Sequence, residues 1–444
     1  MASRKRRRVP LEPVEVEIND LSHEGRGAGR VDGKVIFVHG ALPGEQVSAR
    51  LTGRNRRFDE AVTLAVEVPS AERVDPACPW FGYCGGCALQ HLDHAAQLHW
   101  KQQRLGENLR RIGGVEPERW DDPLAAEPWH YRRRARLSVR NVPGKGRVLV
   151  GFREIGGRYV ADIETCMILH PAFSDRLMSL SALIGALSIP DRIAQVECAA
   201  GDDSAAVVLR NLDPLTEPDL DLLRQWSEDN GIAVWLQPAG PASVYRLCPE
   251  QHRLSYRLDA FDLEFEFHPQ HFIQVNGAVN QLLTRRAIEL MAPGAHERVL
   301  DLFCGLGNFS LPLASRAGQV LGVEGEESLV RAAAANAEAN GLTNTRFVTA
   351  DLTRPIEQLE WMKQAFDAVL IDPPRSGAAE ILPLVAATGA GRIVYVSCDP
   401  ATLARDAGML VREYGYRLES AGIADMFPHT AHVESIAMFR KDLP

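Results

Sequence analysis

Asp301-Leu302-Phe303-Cys304-Gly305-Leu306-Gly307-Asn308-Phe309-Ser310 closes an apolar run that begins at Val299. An apolar strand that breaks at paired glycines and leads into a helix lets backbone N–H groups approach a ligand closely. The same pattern recurs outward from it. QVLGVEGEE (319–327), TRFVTAD (345–351), FDAVLIDPPR (366–375) and GRIVYVSCDP (391–400) are apolar strands ending in Gly, Asp, Glu or Cys. Helical stretches such as SLVRAAAANAEANG (328–341) lie between them. Strands alternating with helices predict a parallel α/β sheet over residues 271–444, with ligands at the strands' C-terminal ends.

The ligand is narrowed by what accompanies the glycines. Glu324 closes the next strand about 20 residues on, where a carboxylate reaches ribose hydroxyls. The motif has no GxGxxG and no glycine loop long enough for a pyrophosphate, which argues against a dinucleotide. Asp351 and Asp372, at the ends of the third and fourth strands, add polar groups around an adenosine-sized ligand. Together these residues favour S-adenosylmethionine. Cys304 sits inside the motif strand and reads as a core residue.

Asp372-Pro373-Pro374-Arg375 and Ser397-Cys398-Asp399-Pro400 end neighbouring strands on the same rim. Asp-Pro-Pro alone suits enzymes that methylate an amino nitrogen, which already has a lone pair. A cysteine one strand along suits a different target. C5 of uracil is a poor nucleophile until a thiolate adds to C6 and converts the ring to an enolate. A base must then remove the C5 proton so that the thiol can leave. Glu434, in His432-Val433-Glu434-Ser435, is the candidate base, behind the compact loop Phe427–His432.

The N-terminal half reads differently. Residues 1–9 form a basic tail. VEVEI (14–18), GKVIFVH (33–39), EQVSARL (45–51) and FDEAVTLAVEV (58–68) are short strands separated by Gly-rich turns such as HEGRGAGRVDG, which suggests a small OB-like β-barrel over residues 10–70. Arg54, Arg56 and Arg57 on one late loop suit nucleic-acid binding. A central α+β domain spans 71–270. It opens with Cys78-x5-Cys84-x2-Cys87, followed by a helix at 92–112 and strands YRRRARLSVR (131–140), RVLVGFREI (147–155) and YVADI (159–163). With Cys166 as fourth ligand, the thiolates suit tetrahedral zinc or an iron–sulfur cluster, and the spacing departs from the two short CxxC pairs of a zinc ribbon. Cys198 and Cys248 have no companions.

Charge is unevenly spread. The chain has 444 residues and a net charge of −9, yet residues 1–57 hold 12 Lys and Arg against 7 Asp and Glu, and residues 101–160 hold 14 against 7. Such basic segments in an acidic chain are suited to bind a polyanion locally. Period 2 places Arg132, Arg134, Arg136 and Arg140 on one strand face: a phosphate strip, or a set of ion pairs with neighbouring acids. No apolar run reaches the roughly 18 residues of a membrane span. The basic start is followed by alternating residues rather than an apolar signal core. These features place the protein in a reducing compartment, the cytoplasm, where eight cysteines read as ligands, nucleophiles or core residues.

DLFCGLGNFS, DPPR, SCDP and FPHTAHVES resemble the RNA uracil-C5 methyltransferases, and the resemblance runs over essentially the whole chain. It implies a Rossmann-like class I methyltransferase domain, with Cys398 as nucleophile and Glu434 as base. It also implies donor binding by Gln274, Phe303, Asn308, Glu324, Asp351 and Asp372. The barrel resembles a TRAM domain. The ribosomal-RNA members carry a [4Fe–4S] cluster at this cysteine pattern, so the resemblance implies Cys78, Cys84, Cys87 and Cys166 as its ligands and, with the barrel, 23S ribosomal RNA as partner; a monomer is expected. The competing readings are a uracil at another ribosomal or transfer RNA site, an amino-methylating enzyme that has no need of Cys398, and an RNA-binding assembly factor without turnover.

Overall fold

The computed structural model describes residues 12–352 and 364–441. The basic tail at 1–9 lies outside them. The chain divides into two compact units: one of residues up to 100 with 152–161 and 428–432, the other of 101–151, 162–427 and 433 onward.

In the first unit β1 (Val14–Leu21), β2 (Gly27–Val31), β3 (Lys34–His39), β4 (Gln46–Arg54) and β5 (Phe58–Val68) form a closed barrel in the order β1-β2-β3-β5-β4. It closes because β1 pairs antiparallel with both β2 and β4. The alternation that predicted β1 is its packing: Val16 and Ile18 point into a core with Ile36, Val38, Val47 and Ala61, while Glu15 and Glu17 stay outside. β2 falls inside the stretch expected to be a Gly-rich turn. Its glycines serve packing there, since a side chain at Gly29 would run into the Glu17 carbonyl. Arg54, Arg56 and Arg57 are exposed around the β4–β5 turn. Residues 428–432 are tied in by backbone bonds from Ala88 and Leu89 to the His429 carbonyl (2.8 and 3.0 Å). Gln97 completes the join, accepting from the His429 N–H at 3.0 Å and donating to the Leu89 and Leu92 carbonyls. Gln97 lies in α1 (His94–Asn108), the helix expected at 92–112.

The second unit contains β6 (Arg119–Trp120), β7 (Arg134–Val142), β8 (Arg147–Gly151), α2 (Pro171–Ser174), α3 (Leu177–Ala186), β9 (Ile193–Ala200), β10 (Ala205–Asn211), α4 (Glu217–Asn230), β11 (Ala233–Leu236) and β12 (Tyr245–Cys248). β7 to β12, without β6, make a six-stranded sheet in the order β12-β11-β10-β9-β7-β8. The third expected strand, YVADI, is reduced to a single bridge between Arg153 and Val160. β13 (Leu254–Leu258) and β14 (Leu263–Phe267) form a hairpin, followed by α5 (Gly277–Met291).

The remaining elements are β15 (Arg298–Leu302), α6 (Ser310–Ala314), β16 (Gln319–Glu324), α7 (Glu327–Ala339), β17 (Thr345–Thr349), β18 (Ala368–Ile371), α8 (Leu382–Ala387), β19 (Arg392–Ser397), α9 (Pro400–Arg412), β20 (Arg417–Ala424) and β21 (Glu434–Arg440). With β6 the strands form an eight-stranded sheet in the order β17-β16-β15-β18-β19-β21-β20-β6. β15 to β19 run parallel, and β21 enters antiparallel between β19 and β20. The central parallel strands read as continuous apolar runs because both faces are covered: the consecutive residues Val299 and Leu300, Val320 and Leu321, Val369 and Leu370, and Ile393 and Val394 are all buried.

Candidate active site

Sheet order converts five distant motifs into one line. Along the rim formed by the strands' C-terminal ends stand Asp351 after β17, Glu324 at the end of β16, Phe303 to Gly307 after β15, Asp372 after β18 and Cys398 after β19. Glu434 begins β21, whose antiparallel course brings its first residue to the same rim. Neighbouring strands are about 4.8 Å apart, so three strand steps from Glu324 to Cys398 span about 14 Å. That is room for a nucleoside and an extended amino-acid tail.

The glycine turn is shaped for a ligand. Phe303 adopts a left-handed backbone (φ +64°), and its N–H donates to the Val323 carbonyl at 2.9 Å. Gly305 (φ +56°) faces open space where a Cβ would be, whereas a Cβ on Gly307 (φ +94°) would lie 2.6 Å from Leu311. Glu324 braces this turn. Its carboxylate accepts from Gly305 N at 3.1 Å, Gly325 N at 2.7 Å and Glu326 N at 3.0 Å. Below it Asp301 is fully buried; one oxygen accepts from the Ser310 hydroxyl at 2.5 Å and the other has no partner. An open glycine cradle and an orphaned carboxyl oxygen fit a bound methyl donor.

Gln274, in the loop between β14 and α5, lines a cavity of about 350 Å³ with Arg133, Tyr256, Ile273 and Asn280. Asn308 is held firmly beside it. Asn308 and Asn280 exchange amide hydrogen bonds of 2.9 Å in both directions, and the Tyr256 hydroxyl donates to Asn308 Oδ1 at 2.9 Å. Nothing in the sequence signalled Tyr256 or Asn280, because they reach Asn308 from a hairpin and a helix far along the chain.

Acidic groups crowd the rim, and their proton affinities rise accordingly. Burial, then the charge of Glu324, pushes Asp372 up to about 7. Burial and the Asp372 and Glu324 charges lift Asp301 to about 8, although the Ser310 hydrogen bond opposes this. Glu434, 5% exposed, is held well above the carboxylate range by burial and by Asp372. Burial, Glu434 and Asp372 push the Cys398 thiol to about 11. Arg375 acts in the opposite sense on both Cys398 and Glu434. A carboxyl group with raised proton affinity is suited to take a proton from carbon. Arg375 and Asp301 stood within the quoted motifs but carried no assigned role; their effect depends on burial and neighbours that the sequence does not show.

Cys304 is core, as expected: it is buried beside Gly322, its thiol held well above the usual range by burial. Cys198 is buried in β9 and Cys248 partly buried in β12. Cys78, Cys84 and Cys87 belong to the first unit and Cys166 to the second. Cys78 and Cys84 are close enough for the charge of one to raise the other, and Gly86 N donates to Cys84 Sγ at 3.4 Å. Among the described residues no group of three or more His, Cys, Asp or Glu stands together as a metal site. Two of the four arginines on the face expected as a phosphate strip or a set of ion pairs form ion pairs, Arg140 is exposed, and Arg132 donates to the Arg134 carbonyl at 3.1 Å. Arg134 and Arg136 share Glu197 (3.6 and 2.9 Å), and Arg134 also donates to the Gln270 and His271 carbonyls. On the other face Arg133 pairs with Asp202 at 2.6 Å. Among the described residues no helix is long and apolar enough to cross a membrane.

A parallel sheet with a glycine-turn donor cradle and a reversed last strand defines a class I methyltransferase. The family described as tRNA (Uracil-5-)-methyltransferase matches residues 210–442, and the TRAM domain matches residues 11–62. The chain is 52% identical to the 23S rRNA (uracil(1939)-C(5))-methyltransferase RlmD of Alkalilimnicola ehrlichii over 440 residues, 99% of each chain. It is 49% identical to the protein of that name from Stenotrophomonas maltophilia, over 99% of this chain and all of the relative. The crystal structure of the Pyrococcus abyssi tRNA (uracil-54, C5)-methyltransferase with S-adenosyl-L-homocysteine superposes with a TM-score of 0.73 at 26% identity, covering 96% of this chain and 99% of that one. The chain belongs to the RNA uracil-C5 methyltransferase family.

Proposed function

We propose that this protein methylates C5 of a uridine in 23S ribosomal RNA, at the position its relatives' names give as 1939, with S-adenosylmethionine as donor. The observation that carries the reading is the adjacency of Cys398 and Glu434 at the donor end of one rim. In this reading Gln274, Phe303, Asn308, Glu324, Asp351 and Asp372 hold the donor, which supplies a methyl group on a positively charged sulfur. Cys398 adds as thiolate to C6 of the uracil, and the ring becomes an enolate. C5 would take the methyl group as the S–CH3 bond breaks, the electron pair of that bond staying on the sulfur, which leaves as a neutral thioether. Glu434 removes the C5 proton, the C5–C6 double bond re-forms and the thiolate leaves. The target base has to leave its stack to reach Cys398.

Cys398→Ala tests this: methyl transfer to ribosomal RNA is lost while donor binding, read by calorimetry, persists. Undiminished turnover would overturn the covalent route and return the amino-methylating reading. Mapping 5-methyluridine in cells lacking the protein tests the substrate, because loss from transfer RNA alone would overturn it.

The barrel at 10–70 acts in this reading as an RNA-binding module ahead of a central domain at 71–270 and a catalytic domain at 271–444. The exposed Arg54, Arg56 and Arg57 support that role. The central domain's Cys78, Cys84, Cys87 and Cys166 are proposed to bind a [4Fe–4S] cluster. The spacing and the nearness of Cys78 to Cys84 support it. Iron and acid-labile sulfide in protein purified without oxygen are the test; their absence would leave these four as structural thiols.

A further inference from the structure

Arg375 can act on Cys398 only if its loop is held, and that loop is clasped by a buried carboxylate eight residues beyond the thiol. Asp406, in α9, is fully buried. One of its oxygens accepts from the Tyr395 hydroxyl of β19 at 2.6 Å and from Ala378 N at 2.7 Å. The other accepts from Arg405 Nε at 2.7 Å, and Arg405 reaches on to the Ser376 carbonyl at 2.9 Å. The loop lies close against the helix because Gly377 (φ +81°) has no Cβ; one there would sit 2.7 Å from Asp406 Oδ2. The same helix starts directly after Cys398, capped by Asp399, whose carboxylate accepts from Ala401 N at 2.9 Å and Thr402 N at 3.2 Å. One rigid element therefore anchors the thiol at its first turn and the turn after Arg375 in its middle.

We propose that Asp406 is a positioning residue for the methyl transfer: by tying Ser376–Ala378 to α9 it keeps Arg375 beside the Cys398 thiol. The proposal rests on the reading of Cys398 as nucleophile. The charged groups that act on this thiol are Glu434 from β21 and Asp372 and Arg375 from the loop after β18, while Asp399, next along its own chain, turns its carboxylate to the helix N–H groups. Arg375 is the cation in that set. If it withdraws, the acids dominate and the thiolate becomes harder to form.

The test is the pH dependence of iodoacetamide alkylation of Cys398, read on its peptide by mass spectrometry, in the wild type, Asp406→Asn and Tyr395→Phe. An upward move of one pH unit cuts the thiolate fraction about ten-fold. Asp406→Asn is expected to move the alkylation midpoint upward, with alkylation at pH 7.5 about 3- to 10-fold slower. Single-turnover methyl transfer falls in step, and its acid limb shifts the same way. Tyr395→Phe, which leaves the carboxylate and its other two donors, shows a smaller shift in the same direction and carries the test if Asp406→Asn does not fold. An unchanged midpoint in a folded variant overturns the proposal, even if its melting temperature drops. Failure of the nucleophile reading is separate, since it appears as turnover surviving in Cys398→Ala.

Discussion

Cys398 and Glu434 stand just beyond the last ladder pair of two antiparallel strands: Ser397 of β19 lies opposite Ser435 of β21, and each of the two is the next residue toward the rim. The Ser435 hydroxyl donates across that step to the Ser397 carbonyl at 3.2 Å. Strand pairing thus fixes Cys398 and Glu434 at one end of the sheet although 35 residues separate them in the chain. The arrangement predicts that Glu434→Gln leaves the addition step intact and blocks elimination. A heat-stable protein–RNA band should accumulate with donor and RNA present. A glutamine variant that turns over without such a band would mean that the base is another group.

The buried Asp301 predicts a signature in stability against pH. Its carboxyl is raised to about 8 from the ordinary 3.8. The folded state therefore holds the proton more tightly than the unfolded one, and stability falls as pH rises between those values. Asp301→Asn keeps an acceptor for Ser310 and removes the ionisation. Its melting temperature should decline less than that of the wild type between pH 5 and pH 8. Parallel decline in the two proteins would show that Asp301 does not titrate in this range.

Lys101 and Asp425 form an ion pair with both side chains at or below 1% exposure, 2.6 Å apart. Lys101 also donates to the Phe427 carbonyl at 2.9 Å. Removing one charge strands the other, so Lys101→Met is expected to cost about 3–5 kcal/mol in denaturant unfolding. The double variant Lys101→Met with Asp425→Leu should recover most of that loss. Equal losses in the single and double variants would mean that the pair contributes through packing alone.

Gly305 and Gly307 should fail differently when changed to alanine. Both have left-handed backbones, but a methyl group on Gly305 points into open space and one on Gly307 into Leu311. Gly307→Ala is expected to lose about 1–3 kcal/mol of stability. Gly305→Ala should lose less stability and more donor affinity in calorimetry. Equal donor affinity in wild type and Gly305→Ala would place the donor elsewhere on the rim.

The sequence by itself determined the alternation of apolar strands and helices, the glycine turn, the placing of Glu324, Asp372 and Cys398 at strand ends and most of the barrel's strands. These are local: period, turn chemistry and strand-end residues are written within ten or so positions. It did not determine β2, whose glycines read as a turn until the barrel showed what they make room for. It left the arginine face of β7 open between phosphate contacts and ion pairs; Glu197, more than 60 residues on, pairs with Arg134 and Arg136. Only the tertiary structure set the order of strands along the rim, and with it the adjacency of Asp372, Cys398 and Glu434. The burial of Asp301 and Asp406, the charges around Arg375 and the hydrogen-bond partner of Tyr256 were decided there too. A side chain's desolvation and its partners come from elements that meet only when the sheet has formed, so no stretch of the chain contains them.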